Sequence, residues 1–79
     1  ALRIIRALIE TSPKEEYYYK VCFRLAENEL LPIALRWEKI YLSDQKNTVL
    51  KKYLINAWTR LGRNDKIQAI LSREGKEDE

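Results

Sequence analysis

Apolar residues recur at helical spacing along most of the chain, interrupted by short polar stretches that carry Pro or Gly. Leu2, Ile5, Leu8 and Ile9 fall on one stripe of residues 1–11, with Ile4 widening it, as an amphipathic helix requires. Ser12-Pro13-Lys14-Glu15 has the spacing of a capping box with proline at the first helical position, which predicts a second helix from Pro13 to Ala26 or Glu27. That helix buries Tyr18, Val21, Cys22 and Leu25, while Lys20, Arg24 and Glu27 face away. After the turn Glu27-Asn28-Glu29, a third helix is predicted over Leu30–Leu42. It buries Ile33, Ala34, Trp37, Ile40 and Tyr41 and tolerates Pro32 within its first turn. Asn47 is placed to cap a fourth helix running through Leu61, and Gly62 to end it in the left-handed conformation. Asn64 or Asp65 then opens a fifth helix with Ile67, Ile70 and Leu71 on its apolar side.

The pattern repeats. Ala1-Leu2-Arg3-Ile4-Ile5, Ala34-Leu35-Arg36-Trp37-Glu38 and, more loosely, Ile67-Gln68-Ala69-Ile70-Leu71 lie 33 residues apart, and Tyr18, Val21, Cys22 and Leu25 shift by the same amount onto Lys51, Leu54, Ile55 and Trp58. A period of this length in a helical chain indicates stacked helix pairs. Connections of a few residues force neighbouring helices antiparallel, which leaves a compact orthogonal bundle or a right-handed stack of hairpins. The periodicity favours the stack.

Composition narrows the chemistry. Seventy-nine residues allow one domain, and two Gly with two Pro are too few for an all-β fold rich in hairpins. The single cysteine, Cys22, excludes an internal disulfide and is expected as a buried packing residue; without any His, the usual metal ligands and nucleophilic triads are missing. No Gly-rich phosphate loop is present either. The chain is therefore expected not to be an enzyme and to need no cofactor or metal. Charges interrupt every apolar segment, so no membrane span or signal peptide is read, and a soluble, cytoplasmic protein is expected. The chain lacks Met and begins in mid-pattern, as a processed chain or a piece of a longer protein would. Charge is uneven: residues 34–66 hold eight Lys and Arg against three acids, whereas residues 1–33 are balanced and residues 67–79 carry an acidic excess of two.

These residues resemble a tetratricopeptide (TPR) array. Tyr18, Val21-Cys22 and Leu25 resemble the first-helix pattern of that family, Ala34 its small second-helix residue, and Ala1 with Pro13 the end of a preceding repeat. Leu54, Trp58 and the phrase Leu61-Gly62-Arg63-Asn64-Asp65-Lys66 look like its helix-to-helix turn. The sequence departs from the family pattern at Lys51, Ile55 and Ile67, and its period is 33 where the family has 34.

The resemblance implies an all-α array of about two and a half repeats and five helices. Residues 1–75 would form the repeat domain, with 1–12 the second helix of a partial repeat, 13–42 a first hairpin and 47–73 a second, and 76–79 would be a charged tail. It also implies a concave groove presenting Glu16, Tyr19, Phe23 and Glu27 from one hairpin and Lys52, Asn56, Thr59 and Arg60 from the next. Lys52 and Asn56 resemble half of the clamp by which some members grip a partner's C-terminal carboxylate. Tyr19 and Phe23 fall off the expected buried stripe at i and i+4, where exposed aromatics would anchor an apolar side chain; packing against the first helix accounts for them equally well.

The expected function is that of a protein–protein interaction or scaffold module that binds a partner peptide or helix, acidic ones included, through Tyr19, Phe23, Lys52, Asn56 and Arg60. The unpaired first helix offers Ile4, Ile5 and Leu8 for self-association. The alternative is a small basic nucleic-acid-binding domain, since Lys51, Lys52, Arg60, Arg63 and Lys66 could equally meet a phosphate backbone.

Overall fold

A computed structural model describes residues 1–77, with side chains described through Arg73. The chain is helical, without strands among the described residues: α1 spans Leu2–Thr11, α2 Glu16–Ala26, α3 Leu30–Ser43, α4 Thr48–Arg60 and α5 Asn64–Glu77, and a 3-10 turn at Glu27–Glu29 leads into α3. α5 thus continues through Gly75 to Glu77. Of the expected charged tail, Asp78 and Glu79 lie outside the described residues.

The local signals succeed where the residue type demands one conformation. Asn47 caps α4, its side-chain oxygen accepting from the Leu50 N–H at 3.1 Å. Gly62 adopts φ +70°, and the flanking bonds, Gly62 N–H to the Thr59 carbonyl and Arg63 N–H to the Trp58 carbonyl, complete a Schellman end. Any Cβ at Gly62 would find open space, so the conformation alone selects glycine there.

Ser12–Glu15 behaves differently from its expected capping box. The Glu15 N–H donates to the Ser12 carbonyl at 3.1 Å, closing a turn with Pro13 at its second position, and α2 begins three residues later than expected with Glu15 as its N-cap. Proline's fixed φ suits that turn position as well as it suits a helix start, so the tetrapeptide alone does not distinguish the two. Asp44–Asn47 forms the matching turn between α3 and α4, closed by the Asn47 N–H on the Asp44 carbonyl. Thr11 and Ser43, where α1 and α3 end, and Glu16 and Thr48, where α2 and α4 begin, stand 32 residues apart. The structural repeat of these two turns is therefore 32, not 33. At that offset, buried Ile5 and Ile9 correspond to buried Trp37 and Tyr41.

The buried stripe of α2 is Tyr19, Cys22 and Ala26, one residue on from the expected Tyr18, Val21 and Leu25; Leu25 is exposed and the other two are half-buried. The reason lies in the rings of the neighbouring helices. Tyr19 stacks on Tyr53 of α4 with centroids 5.0 Å apart and parallel planes, and meets Trp37 of α3 edge-on at 5.1 Å. Around this cluster the core adds Ile33, Ala34, Tyr41, Leu50, Leu54, Ala57 and Trp58. Cys22 is fully buried as expected, and burial pushes its thiol up to about 11, so it stays protonated at neutral pH.

Helices adjacent in sequence pack together at α1–α2, α3–α4 and α4–α5. Side-chain contacts also link alternate helices: the Arg36 guanidinium of α3 grips the Glu10 carboxylate of α1 through both oxygens, at 2.8 and 2.9 Å, and Lys66 of α5 pairs with Glu38 of α3 at 3.5 Å. The result is elongated, 42 × 25 × 17 Å.

The Arg36 hydrogen bonds hold the Glu10 carboxyl below its ordinary value. A group whose folded pKa is depressed contributes stability above its unfolded pKa and loses it as pH falls. Glu10→Gln is accordingly expected to melt slightly below the wild type at pH 7 and by a smaller margin at pH 3. Thermal unfolding followed by circular dichroism at the two pH values checks this, and an equal deficit at both would remove the charge from the explanation.

Candidate functional site

A groove of about 410 Å3 runs between α2 and α4, lined by Lys20, Phe23, Arg24, Lys52, Tyr53, Asn56 and Arg60. Helical spacing places them there. On α2, Lys20, Phe23 and Arg24 sit three and four residues apart beside the buried stripe; on α4, Lys52, Asn56 and Arg60 follow one another at intervals of four. Each row is a single helix face, and the two face a common space because the Tyr19–Tyr53 stack pins the helices beneath it.

Four cations therefore converge, and each is differently held. The Arg60 guanidinium lies over the Phe23 ring at 4.5 Å and donates through Nε to the Asn56 side-chain oxygen at 3.2 Å. Lys52 donates to Glu16 Oε1 at 3.3 Å, and the Tyr53 hydroxyl donates to the same oxygen at 2.8 Å. The Tyr53 and then the Lys52 hydrogen bonds lower the Glu16 pKa, so Glu16 is ionised at neutral pH and closes one end of the groove with a negative charge. Lys20 feels that carboxylate at longer range. Arg24 makes no hydrogen bond or ion pair among the described residues.

Of the residues expected to bind a partner, Phe23, Lys52, Asn56 and Arg60 line this groove together. Tyr19 does not: it is fully buried, and its hydroxyl donates to the Pro13 carbonyl, so it belongs to the core. Glu27 and Thr59 are likewise absent from the lining. Lys20 and Arg24, expected to face away, line it instead. An α-helix turns about 100° per residue, so a stripe displaced by one position swings those side chains from the back of α2 to the groove. The signal that could have found them is the intercalation of Phe23 between two cations at helical spacing.

The face expected for self-association also changes. Ile5 is buried in the core, at 6% exposure, because α1 turns that side of its stripe inward; Ile4 at 65% and Leu8 at 37% remain exposed. Asn47 is the functional-looking polar group that sequence reading assigned only half of its role. It is 1% exposed, and besides capping α4 its Nδ2 donates to the Pro13 carbonyl at 3.0 Å and to Asp44 Oδ2 at 3.3 Å. Pro13 thus accepts from both Tyr19 and Asn47, which ties the α1–α2 turn to the α3–α4 turn.

Among the described residues no three His, Cys, Asp or Glu side chains converge as a metal site would need, and no helix is long and apolar enough to cross a membrane. The groove thus sets four cations around two aromatic rings. No protein-family model matches the chain, and neither does any curated protein or solved structure with which it was compared.

Proposed function

We propose that this chain is a protein-interaction module, a TPR-like array of helix hairpins that holds an acidic segment of a partner protein in the groove between α2 and α4. The observation that carries the reading is the convergence of Lys20, Arg24, Lys52 and Arg60 on one groove whose floor is formed by Phe23 and Tyr53. Cations held over the two rings steer an acidic chain and pair with its carboxylates, and Asn56 adds a polar contact that orients it. The turns that repeat at 32 residues and the contacts between alternate helices support the array architecture. An elongated stack of this kind offers one continuous face to an extended ligand.

The test is binding of peptides rich in Asp and Glu to the wild type and to a Lys20→Glu/Arg24→Glu variant, followed by fluorescence polarisation. Both replaced side chains are exposed. The variant should therefore fold, as circular dichroism would verify, while affinity falls by about tenfold or more through like-charge repulsion. Unchanged affinity would remove the groove from the interaction.

Nucleic acid is the second reading, favoured by the same four cations and by the exposed Tyr17 one turn before Lys20. It requires a salt slope of about −0.7 to −0.9 per neutralised phosphate.

A further inference from the structure

The charge and the length of the groove together constrain the segment it can take. Its lining holds four cations and no acid, and Glu16 at one end balances one of them through the Lys52 contact, which leaves a net charge of +3 to be met. From Lys52 to Arg60 the α4 wall rises about 12 Å, at 1.5 Å per residue. An extended segment of about three or four residues fills that length at 3.3–3.6 Å each. Side chains alternate along such a segment, so about two of them point into the groove. Two carboxylates supply a charge of −2 at most, whereas one phosphorylated side chain at about −1.5 to −2 with one carboxylate supplies about −2.5 to −3.

The donors agree with the charge count. Arg24 and Arg60 bring planar forks of N–H groups, and one phosphate monoester, with three oxygens on a single centre, can accept from both forks at once, whereas one carboxylate is filled by a single fork. Arg24 has no competing hydrogen bond or ion pair among the described residues. The rings in the groove are already covered, Phe23 by Arg60 and Tyr53 by Lys52, so no free platform remains there for a nucleobase, and the Glu16 carboxylate opposes a phosphate chain continuing past that end.

We infer that the groove recognises a phosphorylated side chain of its partner, a phosphoserine or phosphothreonine with an acidic residue two positions away, seated between Arg24 and Arg60. This inference rests on the acidic-segment reading above and names its ligand. It places partner binding under the control of a kinase-type modification of the partner.

Binding of the full chain to heptapeptide libraries, degenerate around a central phosphoserine, serine or glutamate, tests it, with an oligo-uridine of about eight nucleotides as competitor. Phosphoserine is expected to bind about tenfold tighter than glutamate, the factor of one further charge-assisted hydrogen bond. The advantage should shrink as pH falls through about 6, where the phosphate takes up its second proton. It should disappear in Arg24→Gln, whose exposed side chain makes no hydrogen bond or ion pair among the described residues. Equal binding of glutamate and phosphoserine, or a preference that survives Arg24→Gln, would overturn the phosphate inference and leave the acidic-segment reading standing. Failure of every peptide set would overturn both readings. Oligo-uridine binding tighter than any peptide would assign the groove to nucleic acid.

Discussion

Asn47→Asp is expected to destabilise the fold at pH 7 at least as much as Asn47→Ala, even though aspartate caps helices as well as asparagine does. The alanine variant loses the cap on Leu50, worth about 1–2 kcal/mol, and the buried hydrogen bond to Pro13, worth about 1 kcal/mol. Aspartate would keep the cap. In place of the Nδ2 donor, however, it would press a buried anionic oxygen against the Pro13 carbonyl and the Asp44 carboxylate, and an unpaired buried charge costs several kcal/mol.

A domain of this length carries a total stability of roughly 4–12 kcal/mol. A loss of about 3 kcal/mol should lower Tm by about 12–24 °C. The introduced carboxyl would have a folded pKa above its unfolded value of about 3.9, so its penalty is fully present above the folded pKa and is relieved as pH falls through it. Melting followed by circular dichroism should therefore show Asn47→Asp recovering relative to Asn47→Ala between pH 7 and pH 4. An aspartate variant as stable as the wild type at pH 7 would mean that Asn47 is a cap and nothing more.

Tyr19→Ala is expected to cost about 3–5 kcal/mol, the range for removing a large buried ring. The side chain is held between Tyr53 and Trp37, and each such aromatic pair contributes about 0.5–1.5 kcal/mol beyond the area it buries. Any loss of ligand binding would then track the fraction of protein unfolded. Tyr19→Phe separates the two roles that sequence and structure assign to this residue: it preserves both ring contacts, loses only the hydroxyl bond to Pro13, and should cost about 1 kcal/mol while leaving peptide affinity unchanged. Denaturant unfolding of both variants, with peptide titration of whichever fold, checks this. A Tyr19→Ala protein that unfolds like the wild type yet fails to bind would return Tyr19 to the groove. Because Tyr19 and Asn47 donate to one carbonyl, the double variant Tyr19→Phe/Asn47→Ala should also depart from additivity.

Much of the groove was legible one helix at a time. Lys52, Asn56 and Arg60 share a face of α4 by their spacing alone, and Phe23 follows once α2 is accepted as a helix. Tyr17-Tyr18-Tyr19 is where such reading fails, since three consecutive tyrosines give no local preference for the one that turns inward. The choice falls to Tyr19 because Tyr53 and Trp37, 34 and 18 residues further along, arrive on its side of the helix. That choice rotates α2 by one position and carries Lys20 and Arg24 into the groove.

The sequence by itself determined the helical class, the Asn47 cap, the Gly62 stop and the burial of Cys22 and Trp37, because each follows from backbone geometry or from apolar spacing within a single segment. Tertiary structure decided the α2 stripe, the turn at Pro13, the second role of Asn47 and the gathering of four cations. Each of these depends on which ring or carbonyl a distant segment brings within a few ångströms, and short-range packing and hydrogen bonding leave no trace of that in local periodicity.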